Sequence, residues 1–190
     1  MTSINDGLDE LSRATRFYER HVSVSVRNLS NYYDLRGWLP ESALGVTSVW
    51  SSVHNDWLAP VSSRDLKSRW EQAEGPSQMF FMRGLYWMVV WPKTATTNGF
   101  LRVYFSGYAP HFTHPQAVLL DLFDDMVPAL EEYVMYDLSA KDGETGKALL
   151  YWGDYATRVK GLAKGIEKRI VTARVLKLGS QPGTRSRWPR

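Results

Sequence analysis

The sequence contains no cysteine. That excludes a disulfide scaffold, a thiol nucleophile and any cysteine-ligated metal. Histidine is scarce, with four copies in 190 residues. His111 and His114 share one loop, but two histidines make an incomplete zinc set. His21 and His54 have no nucleophile beside them in sequence. No GxSxG or HExxH occurs. Gly143-Glu144-Thr145-Gly146-Lys147 only superficially resembles a phosphate loop. Its glycines are too close, Ala148 stands where a magnesium-binding hydroxyl belongs, and a helix rather than a strand precedes it. It reads better as a turn between helices. Asp124-Asp125 is explained by a helix N-terminus, where acids cap and meet the helix dipole. The expectation is therefore no enzyme, no cofactor and no metal. No apolar run approaches the roughly 18 residues that span a membrane. The opening MTSINDGLDEL lacks the apolar stretch of a secretory signal, so synthesis and assembly in a cytoplasm are expected.

What is present suits a folded chain. Hydrophobic residues make up 44% and charged residues 23%, which excludes wholesale disorder and coiled-coil rods. A chain of this size buries roughly 70% of its unfolded surface and needs no staple. One domain over residues 1–173 is expected, followed by a tail over 174–190. Eight Trp and ten Tyr suit either a β core or a protein contact surface.

Charge is unevenly placed. Arg158 to Arg190 holds ten basic residues and one acid, Glu167, a local +9. The chain's net charge is +3, so the preceding 157 residues carry −6. Asp121 to Glu144 holds eight acids and one base, Lys141. A basic end on an acidic body suggests binding to nucleic acid or to an acidic protein surface.

Periodicity predicts a helix over 4–20, with Leu8, Leu11, Ala14 and Phe17 in one stripe. A strand follows over 21–28, where Val22, Val24 and Val26 alternate with polar residues. A return strand is expected over 32–35, another over 46–53, and a short helix over 63–70. Leu85 to Trp91 and Phe100 to Tyr108 are expected to form a hairpin around Asn98-Gly99, a turn signal. Both faces of its first arm are apolar. Tyr86, Met88 and Val90 are predicted to face a neighbouring subunit or a tail protein. Helices are predicted over 124–141 and 144–173. Met126, Leu130, Tyr133, Val134 and Leu138 would face Leu149, Trp152, Ala156 and Val159. The last helix, roughly 42 Å long at 1.5 Å per residue, would outrun its partner. Ile166 and Ile170 then need another apolar surface. Lys164, Lys168, Arg169, Arg174 and Lys177 surround that stripe. The tail adds Arg185, Arg187, Trp188 and Arg190. The fold class expected is α+β: a helical bundle of the N-terminal and two long C-terminal helices, with an antiparallel hairpin or sheet insertion.

The ordered set of motifs resembles the head-to-tail adaptor (connector) proteins of tailed bacteriophages. Ala14 to Arg20 is similar to the end of that family's first helix. Leu58 to Leu66 followed by Trp70, and Val89-Val90-Trp91-Pro92 followed by Leu101 to Tyr104, are similar to its central region. Met126 to Tyr136, then Lys141-Asp142-Gly143-Glu144, then Tyr151 to Tyr155, resemble its last two helices. The likeness covers roughly residues 10–165. It implies a structural virion protein at the head–tail interface, forming a dodecameric ring under the portal. It further implies tail or nozzle proteins as partners, and viral DNA passing through an acidic channel without sequence-specific binding. The basic end, from Lys164 to Arg190, would then bind the portal. The competing reading is a nucleic-acid-binding or other assembly factor, in which those basic residues contact phosphate and Trp188 stacks on a base.

Overall fold

The computed structural model describes residues 1–62, 72–95, 98–114 and 124–179, with side chains through Ile166. The predicted helix over 63–70 lies outside them. Contacts divide the chain into two compact units. One is Met1–Thr15 with Pro110–Arg190; the other is Arg16–Ala109.

The second unit is a sheet. Its strands are β1 (Glu19–Ser25), β2 (Tyr32–Asp34), β3 (Ala43–Ser51), β4 (Asp56–Pro60), β5 (Met79–Arg83), β6 (Trp87–Trp91) and β7 (Phe100–Gly107). They lie in the order β1-β7-β3-β4-β5-β6-β2. All pairs are antiparallel except β4 with β5, which is parallel. This corrects the expected helical bundle with an antiparallel insertion: the protein is a mixed seven-stranded sheet with three helices among the described residues.

Alternation explains why β7 lies inside the sheet, between β1 and β3. Leu101, Val103 and Phe105 point inward and are almost fully buried. Val103 lies opposite Val22 on β1 and Val49 on β3, a row of β-branched side chains suited to a pleated surface. β3 carries two register irregularities, between Ala43 and Gly45 and between Val46 and Ser48. Such bulges re-aim side chains and account for its apolar residues falling at every second or third place. In the parallel pair, Ala59 and Val61 donate to Gln78 and Phe80 at 2.8 and 2.9 Å. Pro60, which has no N–H, falls at the alternate position that donates nothing.

The expected hairpin between Leu85–Trp91 and Phe100–Tyr108 does not form. β6 pairs with β5 and β2, and β7 pairs with β1 and β3. Residues 92–95 and 98–99 lie between the two pairing sets. Leu29 N–H donates to Thr94 at 2.9 Å and Val26 N–H to Gly99 at 3.0 Å, so the linker's own backbone groups bind other chain segments. Likewise β2 does not return along β1 but pairs with β6.

The first unit contains α1 (Thr2–Thr15), a 3-10 turn (Asp124–Met126), α2 (Val127–Lys141) and α3 (Thr145–Gly179). α1 stops five residues short of the predicted end, because Arg16 adopts φ 52°, a conformation that ends helices. α2 begins with proline near its N-terminus, where a missing N–H costs little. Between α2 and α3, Gly143 takes φ 80°. Glu144 N–H donates to Ser139 at 2.9 Å and Gly143 N–H to Ala140 at 3.2 Å. The phosphate-loop lookalike is thus a helix C-cap and turn, and Lys147 pairs with Glu144.

Candidate interaction surfaces

Three contacts fix how α2 meets α3. Arg158 donates to Glu132 through Nε at 2.9 Å and through its terminal nitrogen at 2.6 Å. Tyr133 meets Tyr155 at 5.3 Å, and Tyr136 meets Trp152 at 5.1 Å between centroids. As α2 numbers rise, α3 partners fall, so the pair is antiparallel as predicted. The seam differs by one residue. Ala148, Tyr155 and Val159 are buried, whereas Leu149 is 70% exposed and Trp152 40%; Ala156 is exposed. Met126 in the 3-10 turn and Ala129 and Leu130 on α2 are buried, while Leu138 is 47% exposed. Sequence reasoning favoured the bulkier Leu149 over Ala148. Packing placed the small residue inward, where the helices approach.

The α1 side of this unit is held by polar contacts. Asp137 accepts from both Lys141 and Ser3. The Lys141 ammonium, then the Ser3 hydroxyl, hold its carboxyl below the usual range. Asn5 brackets Phe112, accepting from its N–H at 2.9 Å and donating to its carbonyl at 3.1 Å. His111 sits 2.9 Å from Asp9. Asp124 and Asp125 lie in the 3-10 turn before α2. Among the described residues no group of three metal-ligating side chains converges, and no helix is long and apolar enough to cross a membrane.

The predicted subunit-contact residues are corrected. Met88 and Val90 are 0% and 2% exposed and belong to the sheet unit's own core, with Tyr86 packed against it. The exposed large side chain of β6 is Trp87, with Arg36 over its ring at 5.6 Å. Of the predicted portal-binding set, Lys164 is exposed and Ile166 is partly buried. Ile166 lines a groove of about 550 Å³ with Leu162, Met126 and Pro128. The side chains of Lys168, Arg169, Ile170, Arg174 and Lys177, and the residues Arg185, Arg187, Trp188 and Arg190, lie outside the described part.

Two surfaces were not legible beforehand. On the helical unit, Leu149 and Leu150 are both 70% exposed, and Met135 43%. The same unit has an apolar groove of about 450 Å³, lined by Ile4, Val127, Leu130, Glu131, Val134 and Met135. Exposed apolar area of this kind marks protein contact sites. On the sheet unit, rings join across strands: Trp57 with Tyr104 at 5.2 Å, His21 with Tyr104 at 5.4 Å and Trp50 with Phe100 at 5.8 Å. Arg102 lies over Trp50 at 5.5 Å, a cation–π arrangement. Register alone brings these residues together, so the sequence offered no local signal.

Exposed apolar side chains on the helices and a ladder of aromatic rings across the strands suit a protein built for contacts. Residues 1–176 match the family model described as SU10 adaptor protein, and the chain belongs to that family. It is a phage structural adaptor of the head-to-tail class, with portal and tail proteins as partners. No curated protein matches it.

Proposed function

We propose that copies of this chain form a dodecameric ring at the head–tail junction of the virion. The ring docks on the portal, extends the DNA channel and offers the tail its attachment surface. It performs no catalysis, and assembly takes place in the host cytoplasm before DNA ejection makes use of the channel. The observation that carries this reading is the mismatch of the last two helices. α2 has 15 residues and α3 has 35. At 1.5 Å per residue these are roughly 22 and 52 Å long. The distal part of α3 therefore has no α2 alongside it, and there the sequence turns basic. A positive helix end of this kind suits an acidic partner surface. The acid-rich stretch from Asp121 to Glu144 supports a channel that repels phosphate rather than binding it.

Truncation after Ala173 tests the anchor. Portal binding is expected to be lost while circular dichroism and the unfolding midpoint stay unchanged. Normal docking by the truncated chain would remove the basic end from this role. The alternative, a DNA-binding basic end, predicts salt-dependent DNA affinity of the isolated monomer.

A further inference from the structure

The first two turns of α3 present an apolar knob that the helical unit itself leaves uncovered. Leu149 and Leu150 are each 70% exposed. Gly146 and Gly153 flank them, and a Cβ built on either would meet nothing within 4 Å. That helix face is therefore open to close approach. Lys147 sits one turn before Leu150. It pairs with Glu144, three residues away, and both side chains are well exposed at 63% and 48%. Such a pair contributes little and exchanges readily.

The same unit carries a receptor of matching chemistry. The groove of about 450 Å³ is walled by Ile4, Val127, Leu130, Val134 and Met135, with one charged residue, Glu131. Along α2 these fall at i, i+3, i+7 and i+8, a stripe two turns long. Val127 and Met135 are 40% and 43% exposed, so the groove opens outward. Glu131 is exposed, and Arg158, whose charge it helps to stabilise, is already gripped by Glu132.

We propose that the knob of one copy seats in the α1/α2 groove of the next, with Leu149 and Leu150 inserted and Lys147 paired to Glu131. The occupant is a second copy because both halves are present on every chain. The knob's only cation also matches the groove's only acid. The knob and groove are different surfaces, so the contact is heterologous and propagates head to tail, the kind that closes rings. The inference rests on the ring reading and names the contact that builds it.

The cysteine-free chain allows a direct test. Val134→Cys and Leu150→Cys are made separately in full-length chains of different tag size, mixed and oxidised. The covalent product expected is the mixed dimer, in excess over either homodimer. Leu149→Glu/Leu150→Glu should raise the concentration for half-assembly at least about tenfold by mass photometry, with circular dichroism unchanged. Lys147→Glu should weaken assembly, and Lys147→Glu/Glu131→Lys should recover it. Rings that form normally from the leucine variant but lose portal or tail binding would overturn the contact and assign the knob to another virion protein. Absence of charge-swap rescue would also overturn it. A wild-type chain that stays monomeric at every concentration and on portals would instead overturn the ring reading, and this contact with it.

Discussion

A Cβ placed on Gly7 would lie 2.7 Å from Tyr133 Cδ1. α1 and α2 approach so closely there that only hydrogen fits, and Leu130 Cδ1 stands 2.9 Å from the same point. Two effects oppose each other in Gly7→Ala. Helix propensity favours alanine by up to about 1 kcal/mol. Overpacking against the half-buried Tyr133 ring and the buried Leu130 costs about 1–3 kcal/mol. The ring atom belongs to a rigid group that cannot swing aside, so overpacking should win. A net loss of about 1–2 kcal/mol is expected in denaturant unfolding.

Tyr155 is 3% exposed and its hydroxyl has no hydrogen-bond partner among the described residues. A buried unpaired hydroxyl carries a desolvation cost. Tyr155→Phe should therefore be neutral or stabilise by up to about 1 kcal/mol, whereas Tyr155→Ala should cost about 3–5 kcal/mol by opening a cavity. Burial, then the Glu10 carboxylate, push the phenol's pKa far above the usual tyrosine value. Tyr133 shifts the same way, chiefly through burial. With the folded value raised, the folded state holds protons that the unfolded state releases above about pH 10. The stability from these groups is full below that pH and is lost as pH rises further. Unfolding midpoints should fall above pH 10, less steeply in Tyr155→Phe.

Trp152 shows what changes when a predicted core residue is found half out. Its ring packs on Tyr136 and on Tyr155, at 5.1 and 5.4 Å, yet it is 40% exposed. Full burial would make Trp152→Ala cost about 3–5 kcal/mol. Partial burial reduces the expectation to about 1.5–2.5 kcal/mol, read from the shift in denaturant midpoint.

Element identity was legible where a single period dominated. Val22, Val24 and Val26 announced β1, and Asp142-Gly143 announced the turn between the last helices. Pairing was not legible. β6 and β7 are neighbours in sequence and looked like a hairpin, but each strand's partners are set by which apolar face matches across the sheet. Val103 meets Val22 and Val49, the latter 54 residues away in sequence. The helix seam was displaced by one residue because periodicity ranks leucine above alanine, whereas close helix packing selects Ala148. The interaction surfaces were hidden for a related reason. Leu149 was assigned to the interior, and the rings of Trp50, Trp57 and Tyr104 sit on three strands.

The central claim is that this adaptor works as a ring on the portal. Electron microscopy of purified portals incubated with the full-length chain tests it most directly. A ring of added density is expected on the tail-facing end of each portal, coaxial with its channel. Bare portals, with the chain remaining monomeric or bound along DNA, would contradict it.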